Sequence, residues 1–414
     1  MSVIRPFAGL RPTPEMAAKV AAPPYDALSS DEARELVKQN PNSFLRVNKS
    51  EVDFPPDADV YGQEIYERGK QNLQRLIDER IMVRDSKPCY YLYRLTMDNR
   101  SQTGLVALTS VVEYEKNLIK KHEHTRPKKV SDRANHIQVL GAQVGPVFSI
   151  FRHSATLSAL FGELTKKAPE YDFVSDHDVR HQLWVVADSQ QVEALTRAFA
   201  DLPALYIADG HHRSAAASEV CRRLAEQNPN HTGEEHYNYF LNVIFPDNEL
   251  HIMSYNRVVA DTAGLSETEL LEKIIERFSV ATADEPVTPQ RDKQIGMYLG
   301  GKWYVLSIKP GTYNADDPAA SIDSAILTAN LLDPVLGIRD IRTDERIDFV
   351  GGIRGTQELV RLVDSGRFAI AFSLYPVSVE QLLAVAEAEQ VMPPKSTWFE
   401  PKLRSGLVVN LLSE

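Results

Sequence analysis

Residues 203–227 run from a short apolar stretch, Leu205-Tyr206-Ile207-Ala208, through Asp209-Gly210 straight into the helical pattern HHRSAAASEVCRRLAEQ. No residues are left over for a loop, so a buried strand must pass directly into a helix at Gly210. There the missing side chain lets the backbone approach another group closely. Asp209 is placed to accept from the first free amides, as an N-cap does. The helix start presents unpaired N–H groups and the positive end of the dipole, an arrangement that favours an anion. His211, His212 and Arg213 then crowd cationic or potentially cationic side chains into a first turn where helix stability prefers acids. Such a local breach of a stability rule marks a functional turn. The structural alternative is that Asp209 caps, the histidines bond to polar neighbours and Arg213 bridges to a carboxylate. A metal is disfavoured here, because adjacent helical residues point about 100° apart and cannot readily chelate one ion. The small residues Ser214, Ala215, Ala216 and Ala217 suit a helix packed tightly beneath a pocket.

The surroundings of this turn are acidic overall. The 414-residue chain has a formal net charge of −11, which argues against duplex DNA as the main ligand, since phosphate neutralisation needs a basic face. A local basic pocket survives that argument. Hydrophobic residues at 43% and charged residues at 25% allow a sizeable core on a well-solvated chain. Cys89 and Cys221 build no disulfide framework and form no CxxC pair, so both read as buried small hydrophobes. The first twenty residues lack an apolar stretch of signal-peptide length, and no window reaches about 18 consecutive apolar residues. A cytosolic location is therefore expected.

At roughly 100–200 residues per domain the length suggests two or three units. Prolines in Ala22-Pro23-Pro24-Tyr25-Asp26 predict an extended opening segment. Ser29 to Glu32 cap a short helix, and a longer one covers Tyr61 to about Arg80, with Ile65, Leu73 and Leu76 on one side. Strands are predicted at CYYLYRLTM, TGLVALTSVVEYE, GPVFSIFR, HQLWVVAD and HYNYFLNVIFP, and a helix at SQQVEALTRAFAD. Beyond Asp261, helices at SETELLEKIIERF, DSAILTANLLDPVLG and SVEQLLAVAEAEQ alternate with strands at QIGMYLGG, KWYVLSIK and RFAIAFSLYP. Mixed spacing makes the class α+β, with mixed sheets and packed helices. Three parts are expected: residues 1–115, 116–260, and 261–414, whose tail (392–406) returns to the site.

Two further segments carry chemistry. Between Asn117 and Gln138 the chain is polar and basic. Lys120, Lys121, His122, Glu123, His124, Thr125, Arg126, Lys128 and Lys129 form its one dense basic cluster, which concentrates anions. Glu123 among these cations stays ionised, able to ligate Mg²⁺ or accept a proton. A solvated loop is the plain alternative. His122 and His124 would share one face if the stretch were a strand, but no third ligand is fixed by spacing. Near the C-terminus, Lys395, Ser396 and Thr397 offer a cation and two hydroxyls for a phosphate or carboxylate clamp, while Trp398 and Phe399 suit core docking. Gly351-Gly352-Ile353-Arg354-Gly355 lacks the lysine and hydroxyl of a P-loop and is weak as a nucleotide signal.

With the stretches IRPFAGLRP, APPYDALS, HEHTRPKKVSDR, YIADGHHRSAAA and MPPKSTWFEPKLRSG, the chain resembles a widespread prokaryotic domain-of-unknown-function family. Its members are often labelled SpoOJ/ParA/ParB/RepB-like, and the matching stretches run from residue 3 to about residue 407. The DGHHR turn followed by small residues is similar to the signature of the ParB/sulfiredoxin-like superfamily. That superfamily holds nucleotide phosphates on a strand–turn–helix core and includes kinases of free L-serine. The resemblance implies such a core within residues 116–260. It also implies phosphate contact by Asp209, Gly210, His211, His212 and Arg213; Ser214 is grouped with the phosphate-binding residues, and Asp209 and His212 are assigned to the reacting centre.

Within that superfamily, sulfiredoxin chemistry is disfavoured because His211 stands where the signature cysteine would be. DNA partitioning is disfavoured by the acidic chain and by the lack of a helix-turn-helix pattern. The reading that remains is a nucleotide-dependent kinase forming O-phosphoserine from free L-serine, with Mg²⁺ and ATP or ADP implied by the resemblance. Glu123 or Asp209 would take the hydroxyl proton, and Arg126, Lys128, Lys395, Ser396 and Thr397 would hold the substrate. Its partners would then be a nucleotide and a small amino acid, with neither membrane nor duplex DNA. The rivals are a nucleotide hydrolase or nucleotide-controlled switch without a serine substrate, a phosphatase, and a non-catalytic binding module.

Overall fold

The computed structural model describes residues 2–413, which divide into two compact units. The first comprises residues 2–121, 125–250 and 401–413; the second comprises 122–124 and 251–400. Both mix helices with strands, so the fold is α+β. Position 115 ends the helix Val111–Glu115 inside the first unit, and position 260 follows the strand Tyr255–Val259 inside the second.

The first unit is built on a nine-stranded mixed sheet. Its order is Ile119–Lys120, Leu205–Asp209, Val147–Phe151, Tyr239–Pro246, Arg100–Ser110, Tyr90–Met97, Arg180–Val186 and Tyr171–Val174, with Ile4–Arg5 beside Arg100–Ser110. Two pairings are parallel: Leu205–Asp209 with Ile119–Lys120, and Tyr239–Pro246 with Val147–Phe151. Residues 102–109 are all buried, as in a strand covered on both faces, so alternation is lost and its centre, Leu105 to Leu108, is a continuous apolar run. Phe151, Leu157, Phe199, Leu205 and Ile207 lie in the core beneath it. Leu205–Asp209 is antiparallel to Val147–Phe151, and the register shifts between Ile207 and Asp209. A bulge of this kind re-aims the side chain that follows it, here at the end of the strand that carries the turn.

The helices follow local signals. Ser29 and Glu32 form a reciprocal capping box on Ser30–Gln39. Gln63–Asp78 buries Ile65, Leu73 and Leu76 along one side. The strand predicted at TGLVALTSVVEYE stops at Ser110, whose hydroxyl accepts the Glu113 N–H and caps the short helix Val111–Glu115. The polar and basic stretch contains a helix, Pro127–Leu140, with Pro127 at its start and Gly141 left-handed at its end. Its buried face is only Ala134, His136, Ile137 and Leu140, too thin an apolar stripe to stand out among the surrounding charges. Ala134 and Ile137 pack against Ala216 and Val220 of the helix His211–Gln227.

The second unit carries a six-stranded antiparallel sheet, ordered Phe278–Ala283, Lys302–Ile308, Gln294–Leu299, Ile370–Leu374, Tyr255–Val259 and Ile347–Gly351. Ile295, Met297, Leu306, Ile370 and Phe372 lie in its core with Leu270 and Ile274 of the helix Glu267–Arg277. Where one helix was expected at DSAILTANLLDPVLG, the turn Asp323–Leu327 opens into a π-helical stretch, Thr328–Leu332. Among the described residues no helix is long and apolar enough to cross a membrane.

Candidate functional site

The strand–helix turn takes the form its sequence demands. Gly210 sits at φ 99°, ψ 26°, and its carbonyl accepts the N–H groups of Arg213 (2.8 Å) and Ser214 (3.0 Å). A β-carbon there would lie 3.1 Å from the Arg213 guanidinium carbon and 3.3 Å from the Val147 α-carbon. Gly210, rather than Asp209, occupies the N-cap position, and it does so without a side-chain bond. The Asp209 carboxylate lies between two cations, 3.4 Å from Arg213 Nη2 and 3.1 Å from Lys402 Nζ.

Arg213 is folded into the protein, with its side chain only 11% exposed, and donates through Nη1 to the Pro146 carbonyl. Burial works against its charge, but Asp209, Asp26 and Tyr25 more than offset it, so the guanidinium stays charged beyond its ordinary range. A second arginine stands nearby. Arg133 Nε donates to Asp132 Oδ2 (2.7 Å), Nη1 donates to the Asn48 carbonyl (3.3 Å), and the guanidinium carbon lies 4.2 Å from the Tyr25 ring centroid. Burial opposes this charge too, and Tyr25 and Asp132 restore it. Burial, then Arg133, push the His136 imidazole down to about 3; with Nε2 3.0 Å from the Val47 carbonyl, it is a neutral Nε2–H donor.

These groups line one partly open recess of about 30 Å³, bounded by Tyr25, Asn48, Arg133, His136, Gly145 and Arg213. The sequence assigns the Pro-Pro-Tyr25-Asp26 segment an extended backbone and a place in the family resemblance but no site role, and it does not mark Asn48, Arg133 and Lys402 as site residues. The signals were slight: an Asn ending a four-residue helix, an arginine in a charged run, and a lysine in a proline-broken tail. Backbone bonds between Ala22 and Ser405, at 3.1 and 2.8 Å, tie the N-terminal segment to that tail.

The other sequence candidates have definite places. His212 accepts the Arg126 N–H at Nε2 (3.0 Å), so that nitrogen carries no proton and the ring secures the start of Pro127–Leu140. His211 is buried, and its carbonyl accepts the Ser214 hydroxyl (3.0 Å); Ser214 is fully buried. Arg126 is exposed at the N-cap of that helix, and exposed Lys128 rests 4.3 Å from the Tyr61 ring centroid. Lys121 lies at the same distance from the Tyr114 ring, so two lysines of the basic run serve separate aromatic contacts. Residues 121–126 form no strand, which removes the shared-face argument for His122 and His124.

Glu123 is half-buried in the short segment assigned to the second unit, where the His122 carbonyl accepts the Met392 N–H (2.8 Å). Lys395, Ser396 and Thr397 belong to the second unit as well. Lys395 is exposed, 5.6 Å from the Tyr255 ring centroid. Ser396 is buried on Ser324 Oγ (2.8 Å) and the Pro393 carbonyl (2.7 Å), and Thr397 is half-buried.

Chemically, the first-unit turn is a cationic recess. Guanidinium and ammonium groups and a helix start suit carboxylate or phosphate oxygens. Asp209 does not fit the Mg²⁺ that the resemblance implies. Each of its oxygens already faces a cation, whereas a hard divalent ion needs oxygen ligands without a competing positive charge.

Among solved structures the chain is similar to a free serine kinase in complex with AMP, at TM-score 0.38 and 12% identity, covering 73% of this chain and 91% of that one. It is similar to a conserved hypothetical protein from Pyrococcus furiosus, at TM-score 0.36 and 12% identity, covering 74% and 95%. SbnI with a C-terminal truncation, from Staphylococcus aureus, is similar at TM-score 0.39 and 12% identity, covering 75% and 89%. These likenesses are too slight to carry a conclusion about the chemistry of this chain. No curated protein matches its sequence. The family model described as protein of unknown function (DUF1015) matches residues 4–327, and the chain belongs to that family.

Proposed function

We propose that this protein is a nucleotide-dependent phosphotransferase with a ParB/sulfiredoxin-like core, phosphorylating free L-serine. The observation that carries the reading is the turn itself. A left-handed glycine opens a 17-residue helix, and Arg213 and Lys402 converge on the Asp209 carboxylate beside it. Phosphoryl transfer asks a protein mainly for positioning and for positive charge on the transferring group, and this arrangement offers both.

In this reading the phosphate chain of ATP or ADP lies on Gly210 and the start of the helix, and Arg213 and Lys402 meet its charge. The serine hydroxyl oxygen forms a bond to the terminal phosphorus while the bond to the bridging oxygen breaks. The nucleotide leaves with that bonding pair. Asp209 positions the two cations. Glu123 is assigned as acceptor of the hydroxyl proton on its local chemistry alone, because both oxygens of Asp209 are engaged. No step is routed through Mg²⁺.

The test is purified protein with L-serine, Mg²⁺ and ATP or ADP, assayed for O-phosphoserine beside the Arg213→Ala variant. Phosphoserine from wild type and its loss in the variant support the reading. Nucleotide consumed without phosphoserine transfers support to the hydrolase or switch. Absence of nucleotide binding overturns both.

A further inference from the structure

We propose that the recess between Tyr25, Asn48, Arg133 and Arg213 is the subsite for the carboxylate and amino groups of a small α-amino acid. The proposal rests on the phosphotransferase reading and gives its acceptor a place. Asn48 is 3% exposed, yet neither Nδ2 nor Oδ1 has a hydrogen-bond partner among the described residues. Buried primary amides are almost always paired, and leaving both ends unmet is costly. Asn48 is not loosely placed: it ends the helix Leu45–Asn48, whose Leu45 and Val47 are fully buried, and its carbonyl fixes Arg133. The amide therefore asks for an occupant with an acceptor for Nδ2–H and a donor for Oδ1.

The two arginines add a demand for negative charge. Arg133 is already oriented by Asp132, the Asn48 carbonyl and the Tyr25 ring, and Arg213 by Asp209 and the Pro146 carbonyl. His136 is neutral and contributes no charge. A carboxylate meets the guanidinium groups and the Nδ2–H, and an adjacent ammonium donates to Oδ1. An α-amino acid carries both on one carbon. Inorganic phosphate supplies acceptors but, as the dianion, a single donor at most. Arg213 lines the recess and also belongs to the turn, so a hydroxyl on the bound amino acid would lie beside the phosphate site.

The experiment titrates the full-length protein calorimetrically with L-serine, propionate, ethanolamine and inorganic phosphate, each with and without ADP. L-serine is expected to bind at least tenfold tighter than propionate or ethanolamine. Asn48→Leu is expected to weaken L-serine at least tenfold while leaving Tm unchanged or raised, because it replaces an orphaned amide by an apolar group of the same branching. Gly145→Val, which adds bulk where a β-carbon would already lie 3.5 Å from Arg213 Cδ, is expected to weaken L-serine as well. The proposal is overturned if Asn48→Leu lowers Tm and leaves affinity intact, or if phosphate binds in preference to every carboxylate. It is also overturned if ADP binds but L-serine does not in either condition, and the nucleotide reading then survives. Failure of ADP to bind wild type sinks the phosphotransferase reading itself.

Discussion

Lys402 Nζ donates to Asp209 Oδ2 across 3.1 Å, joining residues 193 positions apart and turning the end of a strand into a carboxylate shared with Arg213. The pair is partly open, with side chains 23% and 31% exposed, so solvent screens much of its worth. Lys402→Ala should cost under about 1 kcal/mol in urea unfolding. ADP affinity should fall about tenfold, roughly the 1.4 kcal/mol of one lost charge contact. Equal losses in both measurements would make Lys402 a structural residue.

Gly210 and Gly141 separate strain from crowding. Both have positive φ, at 99° and 64°, but a β-carbon on Gly141 meets nothing within 4 Å, while one on Gly210 meets Arg213 and Val147. Gly141→Ala should cost about 1 kcal/mol, the left-handed penalty alone. Gly210→Ala should cost roughly 2–3 kcal/mol and displace the guanidinium, so ADP binding is lost with it. Identical effects of the two substitutions on stability and binding would refute the crowding account.

Two buried histidines set an acid limit on the first unit. Burial, then Arg133 for His136 and Arg404 for His181, push each imidazole down to about 3. A base whose folded pKa is depressed takes up protons more readily when unfolded. Its stability contribution is therefore full above the unfolded value near 6.5 and is lost as pH falls from there towards 3. The unfolding free energy from urea titrations should drop between pH 7 and pH 5, by roughly 2 kcal/mol for each histidine. His136→Gln, which keeps a donor for the Val47 carbonyl, should flatten that dependence. An unchanged slope in the variant would count against His136 as one of its sources.

Arg257 in the second unit is 1% exposed and has no carboxylate within ion-pair distance among the described residues. Its guanidinium donates to the Tyr255 and Pro394 carbonyls and lies 5.0 Å from the Phe349 ring centroid. Burial pushes it down to about 10. Replacing an uncompensated buried cation by an apolar chain of similar length is often neutral or stabilising. Arg257→Met should fall within about 1 kcal/mol of wild type or above it, whereas Arg257→Ala should lose roughly 2–4 kcal/mol to the cavity. A large loss with methionine would show that the two carbonyl bonds outweigh the desolvation.

What could be read along the chain was whatever neighbouring residues settle among themselves. The passage of Leu205–Asp209 into His211–Gln227 at Gly210, the capping box at Ser29 and Glu32, and the apolar side of Gln63–Asp78 all follow from backbone preferences and helical spacing over a few residues. Those forces are local, so the sequence carries them openly. The α+β class followed from the same signals. The helix Pro127–Leu140 escaped because its buried stripe is thin, although its proline and glycine stood at the ends.

Only the tertiary structure decided which charges meet. It set Asp209, one residue before the N-cap, between Arg213 and Lys402, gave His212 to the Arg126 amide, and turned Ser214 inward. It also brought Tyr25, Asn48 and Arg133 around one recess, from a proline-rich segment, a four-residue helix and a basic run with no common pattern. Pairing of buried polar groups depends on distances across the folded chain, and no local periodicity records those distances.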